Sequence, residues 1–261
     1  VDATNYTGAL TVTAAETEMD DAVMVLTGGS GSDTLTITTN STATSLVASD
    51  LASITNFESF TLSANNDTTL TTSDANVTAS NTLAVDGTAL TTAVLTFDGS
   101  AETSGVINLS VAGTGDHVVT SLGNGNDILT STGSGAITVS ASLAGNNTIT
   151  TGSGADGITG GTGDDTITSG GGIDTISLAT ANFTSGDTID GGAGVDKILM
   201  LDDATVIDSD FTNVTNVETL TASANINLIA TIGATALAAG IVTINTTDTG
   251  AADNITVGAG Y

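Results

Sequence analysis

A nine-residue spacing of glycine, acidic and isoleucine positions recurs through the middle of the chain and limits what the chain can fold into. The clearest copy, residues 160–168, reads GGTGDDTIT, and a second full copy at residues 191–199 reads GGAGVDKIL. The acidic position is filled at nine-residue intervals by Asn147, Asp156, Asp165 and Asp174, and the apolar position by Ile149, Ile158, Ile167 and Ile176. Constant register between the two positions indicates a repeating structural unit rather than a run of unrelated turns.

Each copy of this phrase predicts one tight turn followed by one short strand. Glycine tolerates positive φ, so the G-G-x-G part can turn sharply. The next three residues suit a strand whose isoleucine faces the interior, with threonine on the flanking positions. Two phrases, about eighteen residues, then complete one coil of an all-β parallel β-roll or β-solenoid. On this count Asp156 and Asp174 lie on one edge of the roll, and Asn147 and Asp165 lie on the other.

The stacked acidic positions predict calcium sites in the glycine-rich turns. Carboxylates that lie above one another repel unless a cation lies between them, and a ligand set of carboxylate and carbonyl oxygens suits Ca²⁺. The alternative is that the aspartates only cap the turns. The candidate ligands in clean phrases are Asp156, Asp165, Asp174 and Asp196. The candidates in looser phrases are Asp33, Asp127, Asp187 and Asn147. The candidate glycine positions are Gly152, Gly154, Gly161, Gly163, Gly170, Gly172, Gly192 and Gly194.

These phrases resemble the repeats-in-toxin (RTX) family. The resemblance implies a right-handed parallel β-roll that binds several Ca²⁺ ions between adjacent GGxGxD turns, in a protein exported by a type I secretion system. This sequence departs from the family pattern in three places. Asn147 replaces an acid, residues 133–137 contain no acid, and residues 178–190 break the nine-residue register, although residues 186–189 read as a degenerate phrase.

A large internal repeat predicts modules on both sides of the roll. Residues 49–65 align without gaps with residues 209–225, and nine of the seventeen positions are identical. Such a repeat is typical of a modular array. The predicted domains are a β-rich module at 1–111 with one glycine phrase, the calcium-binding β-roll at 112–201, and the start of a second copy of the β-rich module at 202–261.

Within the flanking modules the sequence leaves the sheet architecture open. Short alternating strands with Asn, Asp or Gly between them fill residues 66–112 and favour a solenoid or a sandwich over helices. The only helix candidates are residues 49–54 and 234–239. The chain starts at Val1 without a methionine, and we expect it to be a processed or excised piece of a longer polypeptide.

Net charge restricts the possible partners. The chain carries 29 acidic residues against one lysine, for a formal charge of −28. A chain with no basic patch cannot neutralise nucleic-acid phosphates, and it is repelled by anionic membrane surfaces. No apolar run is long enough to span a bilayer. A divalent cation is therefore the partner that electrostatics favours, because it would relieve the repulsion between acidic positions.

The inventory of reactive side chains does not predict an enzyme. There is no cysteine, and His117 is the single histidine, so neither a Ser-His-Asp triad nor a histidine metal site can be assembled. A glycosidase needs only two carboxylates, but aromatic residues make up 3% of the chain and tryptophan is absent. That leaves little material for a sugar-stacking cleft.

Taken with the resemblance, these features predict a structural extracellular or cell-surface protein. It would be an S-layer or surface-filament subunit that folds and self-associates with Ca²⁺. Two alternatives remain open: a stalk of a large RTX adhesin, and the non-catalytic tail of a secreted toxin or hydrolase.

Overall fold

The computed structural model describes residues 1–19, 24–39, 43–77, 81–140, 144–246 and 253–261. The chain divides into two compact units, Val1–Ser140 (unit 1) and Ala141–Tyr261 (unit 2). Both units are built from short parallel strands, and the parallel β-solenoid predicted from the sequence is confirmed.

Unit 1 contains thirteen strands and two single-turn helices among its described residues. The strands are β1 (Thr11–Ala15), β2 (Leu26–Thr27), β3 (Thr34–Thr38), β4 (Thr44–Leu46), β5 (Ile54–Thr55), β6 (Ser59–Leu62), β7 (Thr68–Thr71), β8 (Thr82–Gly87), β9 (Leu95–Asp98), β10 (Val106–Val111), β11 (His117–Ser121), β12 (Ile128–Ser131) and β13 (Ile137–Val139). The helices are α1 (Glu16–Met19) and α2 (Ala48–Leu51).

These strands form two parallel stacks. One stack runs β1-β3-β6-β8-β10-β12, the other runs β4-β7-β9-β11-β13, and β2 pairs separately with β5. Successive members of a stack come from successive coils of the chain, so the flanking region left open between a solenoid and a sandwich is a solenoid. The predicted domain boundaries at residues 111 and 201 stay a prediction.

Unit 2 is also built from short strands, with fourteen among its described residues. The strands are β14 (Thr148–Thr150), β15 (Gly157–Thr159), β16 (Thr166–Thr168), β17 (Gly171–Gly172), β18 (Thr175–Leu178), β19 (Thr188–Asp190), β20 (Ala193–Gly194), β21 (Lys197–Met200), β22 (Ala204–Ile207), β23 (Val214–Thr215), β24 (Thr219–Ala222), β25 (Leu228–Ile232), β26 (Thr243–Asn245) and β27 (Asn254–Val257). The helices are the 3₁₀ helices Thr180–Asn182 and Asp208–Phe211, and α3 (Ala234–Ala239).

The strands of unit 2 form two main parallel stacks and two smaller sheets. The main stacks run β14-β16-β19-β23 and β15-β18-β21-β24-β26. The third sheet runs β22-β25-β27, and the turn strands β17 and β20 pair with each other. The turns of neighbouring coils are therefore in main-chain contact, as the strands are.

Columns of aligned isoleucines form the core of unit 2. Ile149 lies opposite Ile167, and Ile167 lies opposite Ile189, each at most 1% exposed. Ile158, Ile176 and Ile198 form the matching column in the second stack. Burial of a side chain of this size stabilises the fold by about 1.5–3 kcal/mol. The nine-residue apolar position of the sequence is thus the interior position of the solenoid.

The break in register after residue 178 is an enlarged coil. Ile149 and Ile167 are one coil of 18 residues apart, whereas Ile167 and Ile189 are 22 residues apart. The extra residues accommodate the 3₁₀ helix Thr180–Asn182, and buried Phe183 packs edge-to-face on Phe211 with ring centroids 5.2 Å apart. The strand stack resumes beyond the insertion.

The internal repeat has one structure in both copies. The aspartates Asp50 and Asp210 each cap the start of a helical turn by accepting from the N–H groups of Val47 and Ile207. Asn56 and Asn216, 160 positions apart, both adopt positive φ, at 62° and 53°. The helix candidates 49–54 and 234–239 correspond to α2 and α3, and α1 was not predicted.

Candidate metal centre

The acidic positions of unit 2 stack into two columns, one on each edge of the coils. We call Asn147, Asp165 and Asp187 the first column, and Asp156, Asp174, Asp196 and Glu218 the second column. In both columns a side-chain oxygen accepts a hydrogen bond from the main-chain N–H of the residue one coil earlier. The donor–acceptor distances are 2.8 Å (Asn147 to Asp165), 3.0 Å (Asp165 to Asp187), and 2.8 Å for each of the three steps from Asp156 to Glu218.

The first column uses its second carboxylate oxygens within its own turns. Oδ2 of Asp165 accepts from the N–H of Gly161 at 3.1 Å, and Oδ2 of Asp187 accepts from the N–H of Thr184 at 2.8 Å. Both oxygens of these two side chains therefore have main-chain donors. The alternative that the aspartates cap turns describes this column well, and calcium ligation by Asn147, Asp165 and Asp187 stays a prediction.

The second column differs in its second oxygens. Oδ2 of Asp174 and Oδ2 of Asp196 are buried and accept no hydrogen bond. A buried carboxylate oxygen without a donor is costly, because the charge has lost water and gained nothing in exchange. These two atoms are positioned to receive a cation, and hard carboxylate oxygens are the ligands that Ca²⁺ prefers.

The electrostatics of the columns also favours a cation. Burial raises the pKa of the Asp174 carboxyl to about 6, and the charges of Asp156 and Asp196 act in the same direction, against the hydrogen bond from the Asp156 N–H. Burial is likewise the main cause of the raised pKa of Asp165, Asp187 and Asp196. A bound divalent ion would reverse this effect and hold the carboxylates ionised.

The glycines let neighbouring turns approach more closely than any other residue would allow. Gly170 and Gly172 adopt φ of 83° and 129°, where a side chain is strained. A Cβ at Gly172 would clash with the carbonyl oxygen of Gly154, and one at Gly194 would clash with that of Gly172. The stacked turns therefore bring main-chain carbonyl oxygens next to the second column.

The remaining predicted glycines are divided between the two edges: Gly152, Gly154 and Gly192 lie in turns of the second column, and Gly161 and Gly163 lie in the turn of Asp165 in the first column. Gly163 and Gly192 adopt positive φ, at 113° and 83°. The carbonyl of Gly152 accepts from the N–H of Gly171 at 2.9 Å, and Gly161 donates to Asp165.

The two acidic candidates of unit 1 have different surroundings. Both oxygens of Asp33 have main-chain donors, Leu10 at 2.8 Å and Gly29 at 2.6 Å. Asp127 accepts from the N–H of Ile107 at 2.7 Å, and burial raises its pKa to about 6. Asp127 shares with Asp174 a pKa that burial raises to about 6.

Sequence reasoning missed three glutamates that lie in or beside the columns of acidic positions. Glu218 ends the second column, and Glu58 accepts from the N–H of Asp33 at 2.6 Å in the equivalent place of unit 1. The sequence signal that could have found Glu58 and Glu218 is that both copies of the internal repeat carry a glutamate at this position. Glu102, fully buried in unit 1, lies in no repeated phrase, and no sequence signal pointed to it.

His117 takes the structural place of an aspartate. The N–H of Leu95 donates to its Nδ1 at 3.0 Å, as the N–H groups of other coils donate to carboxylates, and its Nε2 lies 3.1 Å from the carbonyl oxygen of Ala112. The ring is 2% exposed. Its two nitrogens are engaged with the main chain of neighbouring segments.

No three His, Cys, Asp or Glu side chains within the described residues converge closely enough to hold a metal ion by themselves. A cation at the second column would therefore be held by one or two carboxylates together with carbonyl oxygens of the glycine turns. Mixed carboxylate and carbonyl ligation is typical of Ca²⁺.

Comparison with protein families agrees with this geometry. The family model of the RTX calcium-binding nonapeptide repeat matches residues 143–176 and 184–199, in four copies. This segment is an RTX β-roll. The RTX match includes the predicted ligands from Asn147 to Asp196, whereas Asp33 and Asp127 lie outside it. The chain matches no curated protein and no solved structure.

The RTX β-roll would hold Ca²⁺ through Asp156, Asp174 and Asp196 on the second column. The ion, when bound, supplies positive charge between carboxylates that otherwise repel.

In the described ranges, no helix has the length and apolarity required to cross a bilayer.

Proposed function

We propose that this protein is a non-catalytic structural component of a cell surface whose RTX β-roll folds and assembles when it binds extracellular Ca²⁺. The observation that carries the proposal is the pair of buried Oδ2 atoms, on Asp174 and Asp196, that accept no hydrogen bond. Without a cation these buried charges are uncompensated, which lowers the stability of the fold.

The folding step follows from mass action. With a formal charge of −28, the cation-free chain repels itself. A ligand that binds only the folded state at a hundred times its dissociation constant adds about 2.7 kcal/mol to the free energy of unfolding. Extracellular calcium modules bind at about 10⁻⁴–10⁻³ M, so the chain would be unfolded at low cytoplasmic Ca²⁺ and folded outside. That difference suits type I secretion, which exports an unfolded chain.

Assembly into an S-layer or filament is the finer part of the proposal. It is supported by the RTX resemblance and by the scarcity of reactive side chains, since the only histidine is engaged with the main chain. A stalk of a large adhesin is the second candidate. The internal repeat of residues 49–65 at 209–225 favours it, because tandem modules are suited to a spacer.

The test is circular dichroism through a Ca²⁺ titration, with light scattering on the same samples and Mg²⁺ as the control ion. A β signal that appears with Ca²⁺ but not with Mg²⁺, and scattering that rises with it, is the expected result. Folding without scattering would favour the adhesin stalk. A chain that is fully folded in chelator and indifferent to Ca²⁺ would overturn the proposal.

A further inference from the structure

Two buried acids of unit 1 lie in adjacent coils, outside the residues that match the RTX repeat. Glu102 and Asp127 are both fully buried. Their coils are neighbours, because β10 pairs with β12 in a register that places Asn108 opposite Ile128. This register sets the turn at residues 102–107 against the glycine phrase at residues 122–127.

Both side chains are anchored to the same turn. Oε1 of Glu102 accepts from the N–H of Ser104 at 2.7 Å and from the N–H of Gly105. Oδ1 of Asp127 accepts from the N–H of Ile107 at 2.7 Å. Oε2 of Glu102 is buried and accepts no hydrogen bond. Glu102 thus repeats the feature seen at Asp174 and Asp196, a carboxylate with one oxygen tied to the main chain and the other left without a donor.

The glycine phrase leaves room for the glutamate. Gly123 adopts φ of 110°, and an added Cβ there would lie 2.9 Å from the Cβ of Glu102. A Cβ at Gly125 would clash with the carbonyl oxygen of Gly105. The turn that carries Glu102 is therefore packed directly on the phrase that carries Asp127, with main-chain carbonyls close by.

The arrangement explains why a glutamate is needed here. The acidic position one coil before Asp127 is occupied by Ile107, which has no oxygen in its side chain. A site between these two turns would have a carboxylate on one side only. Glu102 reaches the same turn from five residues earlier and supplies the missing carboxylate.

Unit 1 contains no lysine or arginine that could compensate the two acids. The only lysine of the chain is Lys197, which belongs to unit 2, and the chain contains no arginine. Burial raises the pKa of Asp127 to about 6, and the charge of Glu102 contributes to that shift. Two carboxylates buried together without a counter-charge call for a cation.

We propose that Glu102 and Asp127 hold a Ca²⁺ ion in unit 1, at a mixed site in which a glutamate from a turn without an acidic position completes a degenerate glycine phrase. The inference rests on the calcium dependence proposed above but concerns residues that no RTX repeat covers.

The test compares the number of Ca²⁺ ions bound per chain, by equilibrium dialysis, for the full chain and three variants. Glu102→Gln keeps an oxygen for the Ser104 and Gly105 N–H groups and removes the charge. Asp74→Asn is the matched control, because Asp74 is an exposed acid that accepts from Thr103 in the same turn at 3.1 Å. Asp174→Asn removes a proposed ligand of the second column and so tests calcium binding by the RTX β-roll separately.

Glu102→Gln is expected to bind one Ca²⁺ fewer than the unchanged chain, and Asp74→Asn the same number. In calcium-free buffer, Glu102→Gln is expected to unfold at an equal or higher urea concentration, because a buried charge has been removed. Asp127→Asn, which keeps an acceptor for Ile107, provides a second variant if Glu102→Gln is poorly folded. An unchanged number of bound ions in both variants would overturn the inference.

The variants separate this inference from the proposed function. A loss of binding in Asp174→Asn alone would leave the calcium-dependent β-roll standing and reject the site in unit 1. A loss in Glu102→Gln alone would support the site in unit 1 and reject the second column. A chain that binds no Ca²⁺ at all would reject both.

Discussion

Oδ1 of Asp174 accepts a 2.8 Å hydrogen bond from the main-chain N–H of Asp156, eighteen residues earlier in the chain. Asp196 repeats this relationship with Asp174 one coil later. One carboxylate oxygen thus ties two coils together, while the other is buried without a donor. Capping, which the sequence presents as the alternative to cation binding, uses one oxygen of this side chain and leaves the other available to a cation.

The two roles can be separated at Asp174. Asp174→Asn keeps an acceptor for the Asp156 N–H but removes the charge, so we expect unchanged or higher stability in chelator and a smaller stabilisation by Ca²⁺. Asp174→Ala also leaves a buried N–H unpaired, which costs about 1–3 kcal/mol with or without Ca²⁺. Urea unfolding of both variants, with and without Ca²⁺, measures these differences. Equal stabilisation of Asp174→Asn and the unchanged protein by Ca²⁺ would show that Asp174 is not a ligand.

A second prediction compares Asp165 of the first column with its sequence neighbour Asp164, which lies outside the column. Asp165 is 2% exposed, and its oxygens accept from the main chain of Asn147 and Gly161. Asp164 is exposed. Asp165→Ala should therefore lower the free energy of unfolding by about 1–3 kcal/mol in chelator and weaken folding in a Ca²⁺ titration, whereas Asp164→Ala should change either quantity little. Similar effects of the two changes would contradict the assigned register.

The repeat positions of unit 2 were predictable because one nine-residue period governs both the turn and the strand. Once Ile149 and Ile167 are placed in the interior, Asn147 and Asp165 must share an edge, and the structure shows that they do. Sequence identity between residues 49–65 and 209–225 identified the internal repeat, whose two copies share the capping aspartates Asp50 and Asp210.

Other features depend on three-dimensional neighbours that no period specifies. The enlarged coil after Leu178 shifts the spacing to 22 residues, which the sequence shows only as a loss of register. Glu102 lies near Asp127 because of coil stacking, not sequence proximity. Whether a carboxylate oxygen finds a donor also depends on the local turn: Gly161 donates to Asp165, but Oδ2 of Asp174 has no such donor.

The buried acids predict an unusual pH dependence of the calcium-free protein. An aspartate in an unfolded chain titrates near pH 3.9, whereas the pKa of Asp127 and of Asp174 is raised to about 6 in the folded chain. Between about pH 4 and about pH 6 the folded state therefore holds protons that the unfolded state has lost. Its free energy of unfolding should fall as the pH rises through this window.

Denaturant unfolding of calcium-stripped protein across this pH range provides the measurement. Asp174→Asn is the control, since it removes one of the buried groups with a raised pKa and should make the dependence shallower. In saturating Ca²⁺ the slope should reverse, because the ion binds the ionised carboxylates and protons compete with it. A calcium-free stability that rises between pH 4 and pH 6 would contradict the prediction.

The last prediction tests the close approach of the turns with two glycines from phrases that stack in neighbouring coils. Gly172 has φ of 129°, and a Cβ there would clash with the carbonyl oxygen of Gly154, whereas a Cβ at Gly157 would meet nothing within 4 Å. Gly172→Ala should lower the free energy of unfolding in saturating Ca²⁺ by about 1–3 kcal/mol, from strained backbone and displaced turns. Gly157→Ala should raise it by about 0.5 kcal/mol, because alanine restricts the unfolded chain. Urea unfolding of both variants measures the two effects. If both changes have the same small effect, the turns do not stack as closely as the contact between Gly172 and the carbonyl oxygen of Gly154 requires. The carbonyl oxygens would then be too far from the second column to serve as ligands at the proposed calcium site.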